Sequence, residues 1–180
     1  MKKALSAFAI ALLSVSSISA QQPATENSPA IAQTQFFAEL GGPGVLFSAN
    51  IDRRFKKSHI GWGGRVGLGF VSGDYGYSDV NGYYYERRSV VTVPVQINYV
   101  FGKANSPHTF EAGAGFTVLG RKMDVFNIYN NDRSSVLGTA AFMYRRQPLN
   151  GGFAWRIGFT PIVYSGYIQA SGGVSVGYAF

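Results

Sequence analysis

The chain contains no cysteine. No disulfide framework is possible, although exported chains of this size often rely on one. There is also no cysteine to carry an N-terminal lipid anchor. Charge is sparse, at 14% of residues, where a soluble domain carries about 25%. Beyond residue 20 no stretch reaches the roughly 20 consecutive apolar residues that a membrane-spanning helix needs, and no segment shows a convincing helical repeat. The stability of such a chain must come from elsewhere. Closing a β-sheet on itself within lipid is one such source.

What the sequence does have is glycine (23 of 180 residues) and aromatic residues (15%). Its N-terminus opens with Lys2 and Lys3, continues through an uncharged apolar stretch from Ala4 to Val15, and ends in small residues at Ser19-Ala20. Residues 1–20 therefore read as a secretory signal peptide. Ile18 stands where a smaller residue is usual, which leaves the cleavage point open. Residues 21–33 lack periodicity and read as a flexible periplasmic segment. Residues 34–180 are left as a barrel domain. Without Lys2 and Lys3 the basic count falls from 16 to 14 against 9 acids, a net charge of +5. That excess is too small to argue for nucleic-acid binding.

From Thr34 onward the dominant signal is alternation. Eight segments emerge, at about 34–42, 45–55, 60–71, 89–101, 109–120, 135–145, 153–163 and 168–180. The fourth sets Val91, Val93, Val95, Ile97, Tyr99 and Phe101 against Thr92, Gln96 and Asn98. The last sets Val174, Val176, Tyr178 and Phe180 against Gly173, Ser175, Gly177 and Ala179. The bulky face is apolar, and the opposite face is small, polar or charged. A soluble barrel would point its apolar residues at a cavity; here the small face suits a crowded interior and leaves the bulky face to lipid. The expected fold is an all-β, eight-stranded, antiparallel up-and-down transmembrane barrel. Connections near 56–59, 102–108 and 146–152 are short, whereas those near 72–88 and 121–134 are long. This places the short turns and both termini in the periplasm. Gly42-Pro43-Gly44 reads as a tight outer connection. Pro94 and Pro161 fall inside strands, where bulges or irregular pairing are expected.

Outward aromatic residues should gather where strands meet the membrane surface. Phe36, Phe55, Trp62, Phe101, Phe110, Tyr144, Phe153 and Phe180 supply one for each periplasmic strand end, all on the apolar parity. The inward parity collects Glu39, Asp52, Arg54, Arg65, Glu111, Arg145 and Arg156. Buried charges need partners, so these predict an ion-pair network that plugs the lumen. Basic residues also crowd the inner rim (Arg53, Arg54, Lys56, Lys57, Lys103, Arg145 and Arg146), a placement that suits phospholipid headgroups or, alternatively, a binding partner. His59 and His108 lie in the inner turns, where a histidine is ordinarily solvated. The outer segment 72–88 holds Asp74, Tyr75, Tyr77, Asp79, Tyr83, Tyr84 and Tyr85. Tyrosines there suit either binding of an extracellular ligand or an aromatic girdle. Asp74 and Asp79 lack calcium-loop spacing, and no metal, cofactor or catalytic set is expected.

This pattern resembles the OmpA/OmpX-like group of small outer-membrane barrels of Gram-negative bacteria. The resemblance covers the barrel domain, 34–180, and rests on the strand pattern, the signal peptide and the ending VSVGYAF. It implies a location in the outer membrane among lipid, with insertion by the barrel-assembly machinery, which reads a terminal aromatic such as Phe180. It also implies a non-enzymatic barrel that serves envelope integrity or binds through its surface loops. The competing functions are a lipid-modifying enzyme and a narrow channel. A soluble secreted β-barrel is the competing architecture. For the enzyme, both histidines fall on the wrong side of the membrane.

Overall fold

The computed structural model describes residues 31–79, 82–123, 134–164 and 166–180. Alternation becomes strand in β1 (Thr34–Gly41), β2 (Phe47–Arg54), β3 (Gly61–Asp79), β4 (Gly82–Gly102) and β5 (His108–Met123). It continues in β6 (Ser134–Arg146), β7 (Gly152–Phe159), β8 (Ile162–Tyr164), β9 (Tyr167–Gln169) and β10 (Gly172–Ala179). Every pairing is antiparallel, and β1 bonds to β10 while β5 bonds to β6, so the sheet has closed on itself. β7 and β8 are one stave interrupted at Pro161, and β9 and β10 are another. The molecule is a closed eight-stave up-and-down barrel.

The two parities separate cleanly. Leu68, Ile97, Phe142, Ile157 and Val176 point outward and are more than half exposed, while Thr92, Gln96, Asn98 and Thr117 point inward and are buried. Small residues on the inner face admit large neighbours. A Cβ on Gly177 would lie 2.1 Å from the Phe36 carbonyl and 2.5 Å from the Phe37 Cβ. Glycine there lets Phe37 turn its ring into the lumen, where it is fully buried.

Register sets the size of the tube. Phe36, Ile51, Val66, Val95, Phe116, Gly138, Val163 and Ile168 lie successively opposite one another. Ile168 is six residues short of Val174, whose partner Leu40 is four residues past Phe36, so one circuit climbs ten residues. Eight staves with that stagger tilt by roughly 40° and enclose a backbone tube of about 8 Å radius. Side chains can just fill such a tube.

Neither proline shifts the register. Pairing of β3 with β4 lapses between Val66–Val95 and Gly69–Thr92 and then resumes unchanged, while Pro94 keeps its partner Thr117 on β5. At Pro161 the strand is interrupted, yet the Pro161 carbonyl accepts from the Ala140 N–H at 3.0 Å and Thr160 N–H reaches the Ser171 carbonyl at 2.8 Å. The one shift among the described pairings lies between Val118 and Met123, where β5 meets β6.

The outer end is uneven. β3 and β4 run for 19 and 21 residues, whereas β1 and β2 have 8 each. Expected as a loop, 72–79 and 82–88 are instead strand: Ser72 pairs with Ser89, and the ladder runs on to Asp79–Gly82. Among the described residues the β3–β4 hairpin thus reaches past β2 and β5 as a two-stranded extension.

Candidate functional site

The lumen gathers the inward charges at one level. Asp52 is approached by three guanidinium groups: Arg145 at 3.0 Å, Arg156 at 3.1 Å, and Arg54. Glu111 faces Arg145 at 2.9 Å and Arg156 at 3.3 Å. Asn98, buried between the two acids, donates to Asp52 at 3.1 Å and to Glu111 at 3.0 Å. Its carbonyl oxygen accepts from Arg54. Gln35 and Gln147 take further donors of Arg156 and Arg145. Six staves (β1, β2, β4, β5, β6 and β7) feed this cluster, which crosslinks the wall through the centre of the tube. Glu39 and Arg65 stand apart, in a single contact at 3.3 Å. The second Glu39 oxygen and two Arg65 nitrogens have no partner among the described residues. Phe37 lies between the two groups, its ring 4.0 Å from the Arg156 guanidinium carbon and 5.7 Å from that of Arg65, close enough for cation–π attraction.

Outward of the charges the lumen turns apolar. Val71, Val90, Leu119, Leu137, Ile162 and Tyr164 form a buried layer against which Val45 packs. The first outer connection completes it. Gly42, Pro43 and Gly44 form a buried 3-10 turn. Thr117 donates to the Pro43 carbonyl at 2.6 Å and Thr92 to the Gly44 carbonyl at 3.0 Å. Since those threonines point into the lumen, the turn is folded into the barrel mouth. Val45 enters it with φ of 79°, unusual for a β-branched residue. The tightness of the connection was legible, but its direction was not. A signal for the apolar layer does exist. Alternation breaks into adjacent apolar pairs at Phe70-Val71, Val90-Val91, Val118-Leu119, Val136-Leu137 and Ile162-Val163. Such pairs make both faces apolar at the same height on five staves.

At the inner end Arg53, Lys56, Lys57 and Lys103 are exposed and Arg146 is half-buried, whereas Arg54 and Arg145 turn into the lumen. Two inner turns are clasped together through His59, whose Nε2 lies 3.1 Å from the Ser106 carbonyl. His59 is thus buried, contrary to the solvated position expected of it. Burial holds its imidazole below the ordinary histidine value, the Ser106 bond opposing and the charge of Arg145 assisting. His108 contacts the Tyr144 hydroxyl. Phe36, Phe55, Trp62, Phe101, Phe110, Phe153 and Phe180 are exposed around this end, and Tyr144 is half-buried. Several pack on neighbouring rings: Trp62 edge-on to Tyr99 at 5.1 Å, Phe101 stacked on Phe110 at 5.9 Å, Tyr144 tilted against Trp155 at 5.3 Å.

The side chains of Asp74, Tyr75, Tyr77, Asp79, Tyr83, Tyr84 and Tyr85 lie outside the described residues, as does the 1–30 segment. Ile31–Gln33, the end of the segment expected to be flexible, bonds to the inner rim: Ala32 N–H donates to the Leu149 carbonyl and Arg54 N–H to the Gln33 carbonyl, both at 2.9 Å. Among the described residues no helix is long and apolar enough to cross a membrane, which says nothing of strands. No group of three His, Asp or Glu there could hold a metal ion.

No family model and no curated protein matches the sequence. Among solved structures, the barrel resembles the N-terminal β-barrel domain of Pseudomonas aeruginosa OprF. The TM-score is 0.52 at 12% identity, over 86% of this chain and 100% of that one. At that identity the likeness shows the fold alone, a closed β-barrel.

Proposed function

We propose that this chain is a non-enzymatic integral barrel of the bacterial outer membrane, with periplasmic termini and a sealed interior, that serves as an anchor for an outward-projecting binding hairpin. One observation carries the reading: the exterior is apolar and the interior is filled. Leu40, Leu68, Val91, Ile97, Phe116, Phe142, Ile157 and Val176 are exposed on the outside of the wall. In water they would form a contiguous apolar surface far larger than soluble monomers expose. Inside, the ion-pair cluster, the apolar layer and the 42–44 turn occupy successive levels, which argues against a channel. The histidines support a non-enzymatic role, because both sit in inner turns, away from the outer leaflet. The β3–β4 extension supports surface binding, since it projects a tyrosine-rich segment on a paired, rigid scaffold.

Detergent extraction tests the membrane reading. A heat-modifiable gel band from the outer-membrane fraction is expected; recovery in the soluble periplasm overturns it. Deletion of 74–86 tests the binding reading. Adhesion or envelope-stress responses are expected to change while the heat-modifiable band persists, and no change in either removes the hairpin's role.

A further inference from the structure

The charges of the barrel are distributed unevenly along its axis. The lumen holds four arginines against three acids, and the outer segments 73–88 and 121–133 hold five bases against five acids. Among the described residues the inner rim holds five basic side chains (Arg53, Lys56, Lys57, Lys103 and Arg146) and no acidic side chain. The only acid of 21–33 is Glu26. The net +5 of residues 21–180 therefore resides almost wholly at one end. Its placement there is structural. The turn carrying Lys56 and Lys57 is fixed by Phe55 N–H to the Trp62 carbonyl at 2.9 Å and Ser58 N–H to the Lys56 carbonyl at 2.7 Å. His59 binds that turn to the one carrying Lys103. The lysines stand next to the outward rings of Phe55, Trp62 and Phe101, where the apolar exterior ends.

We infer that this rim is a recognition surface for the phosphate headgroups of anionic phospholipids in the adjoining leaflet, selecting them over zwitterionic ones. The inference rests on the membrane reading above. An arc of cations from β2 to β6, at the end of the wall that carries the aromatic belt, matches the cross-section of a lipid leaflet, with acyl chains against the aromatic side chains and phosphate at the level of the ammonium groups. Exposed lysines are strongly hydrated point charges on flexible stems, which suits many exchanging phosphates rather than one fixed ligand. Among the described residues no acidic side chain stands at the rim to weaken that field. The occupant is the lipid surface itself, because the basic residues continue the wall that the lipid already covers.

The protein carries its own reporter. Both of its tryptophans, Trp62 and Trp155, lie at this end. The full chain would be reconstituted in vesicles of phosphatidylcholine and phosphatidylglycerol at equal mole fractions, with one or the other lipid brominated near the headgroup end of its chains. Brominated phosphatidylglycerol is expected to quench tryptophan more strongly, with an enrichment on the order of five-fold, the factor one cation near an anionic surface carries. The preference should fall toward one-fold in the K56Q/K57Q/K103Q variant, whose heat-modifiable band reports that it still folds. In the unaltered protein, molar salt should have the same effect. Equal quenching by both lipids, or a preference the variant retains, overturns the inference. Equal quenching is also what a rim used by a second copy or an acidic periplasmic protein would give. No quenching by either lipid would overturn the membrane reading as well, so the two failures are distinguishable.

Discussion

Converting Glu111 to glutamine would remove one charge from the centre of the lumen at almost constant volume. Glu111 is fully buried, faces Arg145 at 2.9 Å and Arg156 at 3.3 Å, and accepts from Asn98 at 3.0 Å. The change leaves two guanidinium groups short of a counter-charge in a site closed to water above by the apolar layer. Removing one partner of a buried ion pair costs roughly 3–5 kcal/mol. Asp52→Asn should cost a comparable amount, about 3–5 kcal/mol, since Asp52 faces three arginines. Glu39→Gln should cost less, about 1–2 kcal/mol, because it forfeits one charged hydrogen bond at 3.3 Å and its other oxygen has no partner to lose. The assay is urea unfolding in lipid vesicles, followed by tryptophan fluorescence. The ordering matters more than any single value. Equal losses for all three, or losses under about 1 kcal/mol at Asp52 and Glu111, would refute the idea that the cluster clamps the wall. A double-mutant cycle of Glu111→Gln with Arg145→Met should show coupling, because the pair shares one contact.

The inward turn gives a second expectation. Thr92→Val with Thr117→Val removes both hydroxyls that hold it, and should cost about 1–3 kcal/mol and introduce transient conductance in planar bilayers where the unaltered protein is silent. Unchanged stability and continued silence would show that the turn needs no latch. His59 titrates below the ordinary value in the fold, so an unfolded chain takes up its proton first. Its contribution is complete above about pH 6.5 and declines as pH falls through that value toward the depressed one. The unfolding midpoint should therefore drop between about pH 7 and pH 5, less steeply in His59→Gln; parallel curves would remove His59 from the account. Phe180 bonds to Thr34 through both its N–H and its carbonyl, at 2.8 and 2.9 Å, with its ring exposed. Phe180→Ala is expected to lower the fraction of chains reaching the heat-modifiable form, while a normal yield would make the ring simply one more of the outward aromatics.

Most of the wall could be read from period alone. A strand exposed on one face to lipid and on the other to a polar lumen shows alternation over that stretch, as Val95 to Tyr99 does. Parity also placed Asp52, Glu111, Arg145 and Arg156 on one face, but not at one height. Height depends on the stagger of ten residues, a property of all eight registers together. Phe37 escaped notice because an inward aromatic next to outward Phe36 looks like a break in pattern; only Gly177 across the seam makes room for it. The inward fold of Gly42-Pro43-Gly44 escaped because a turn's direction is set by the surfaces it can bury against, here Thr92, Thr117 and the apolar layer. The long β3–β4 ladder escaped because tyrosine, glycine and serine are turn-like in composition, yet can pair as strand wherever the adjoining strands already impose a register. His59 was misjudged for a similar reason, since its partner Ser106 belongs to another turn.

The β3–β4 hairpin has a mechanical consequence. β3 runs back from Asp79, and β4 on from Gly82, into the wall, where they are held on their other sides by β2 and β5. A pull on the tip along the strand axis therefore does not peel hydrogen bonds one at a time. It loads the β2–β3 and β4–β5 ladders in shear, so that many bonds resist together. Force applied at the extension would therefore put the whole barrel under tension before any single pair gave way.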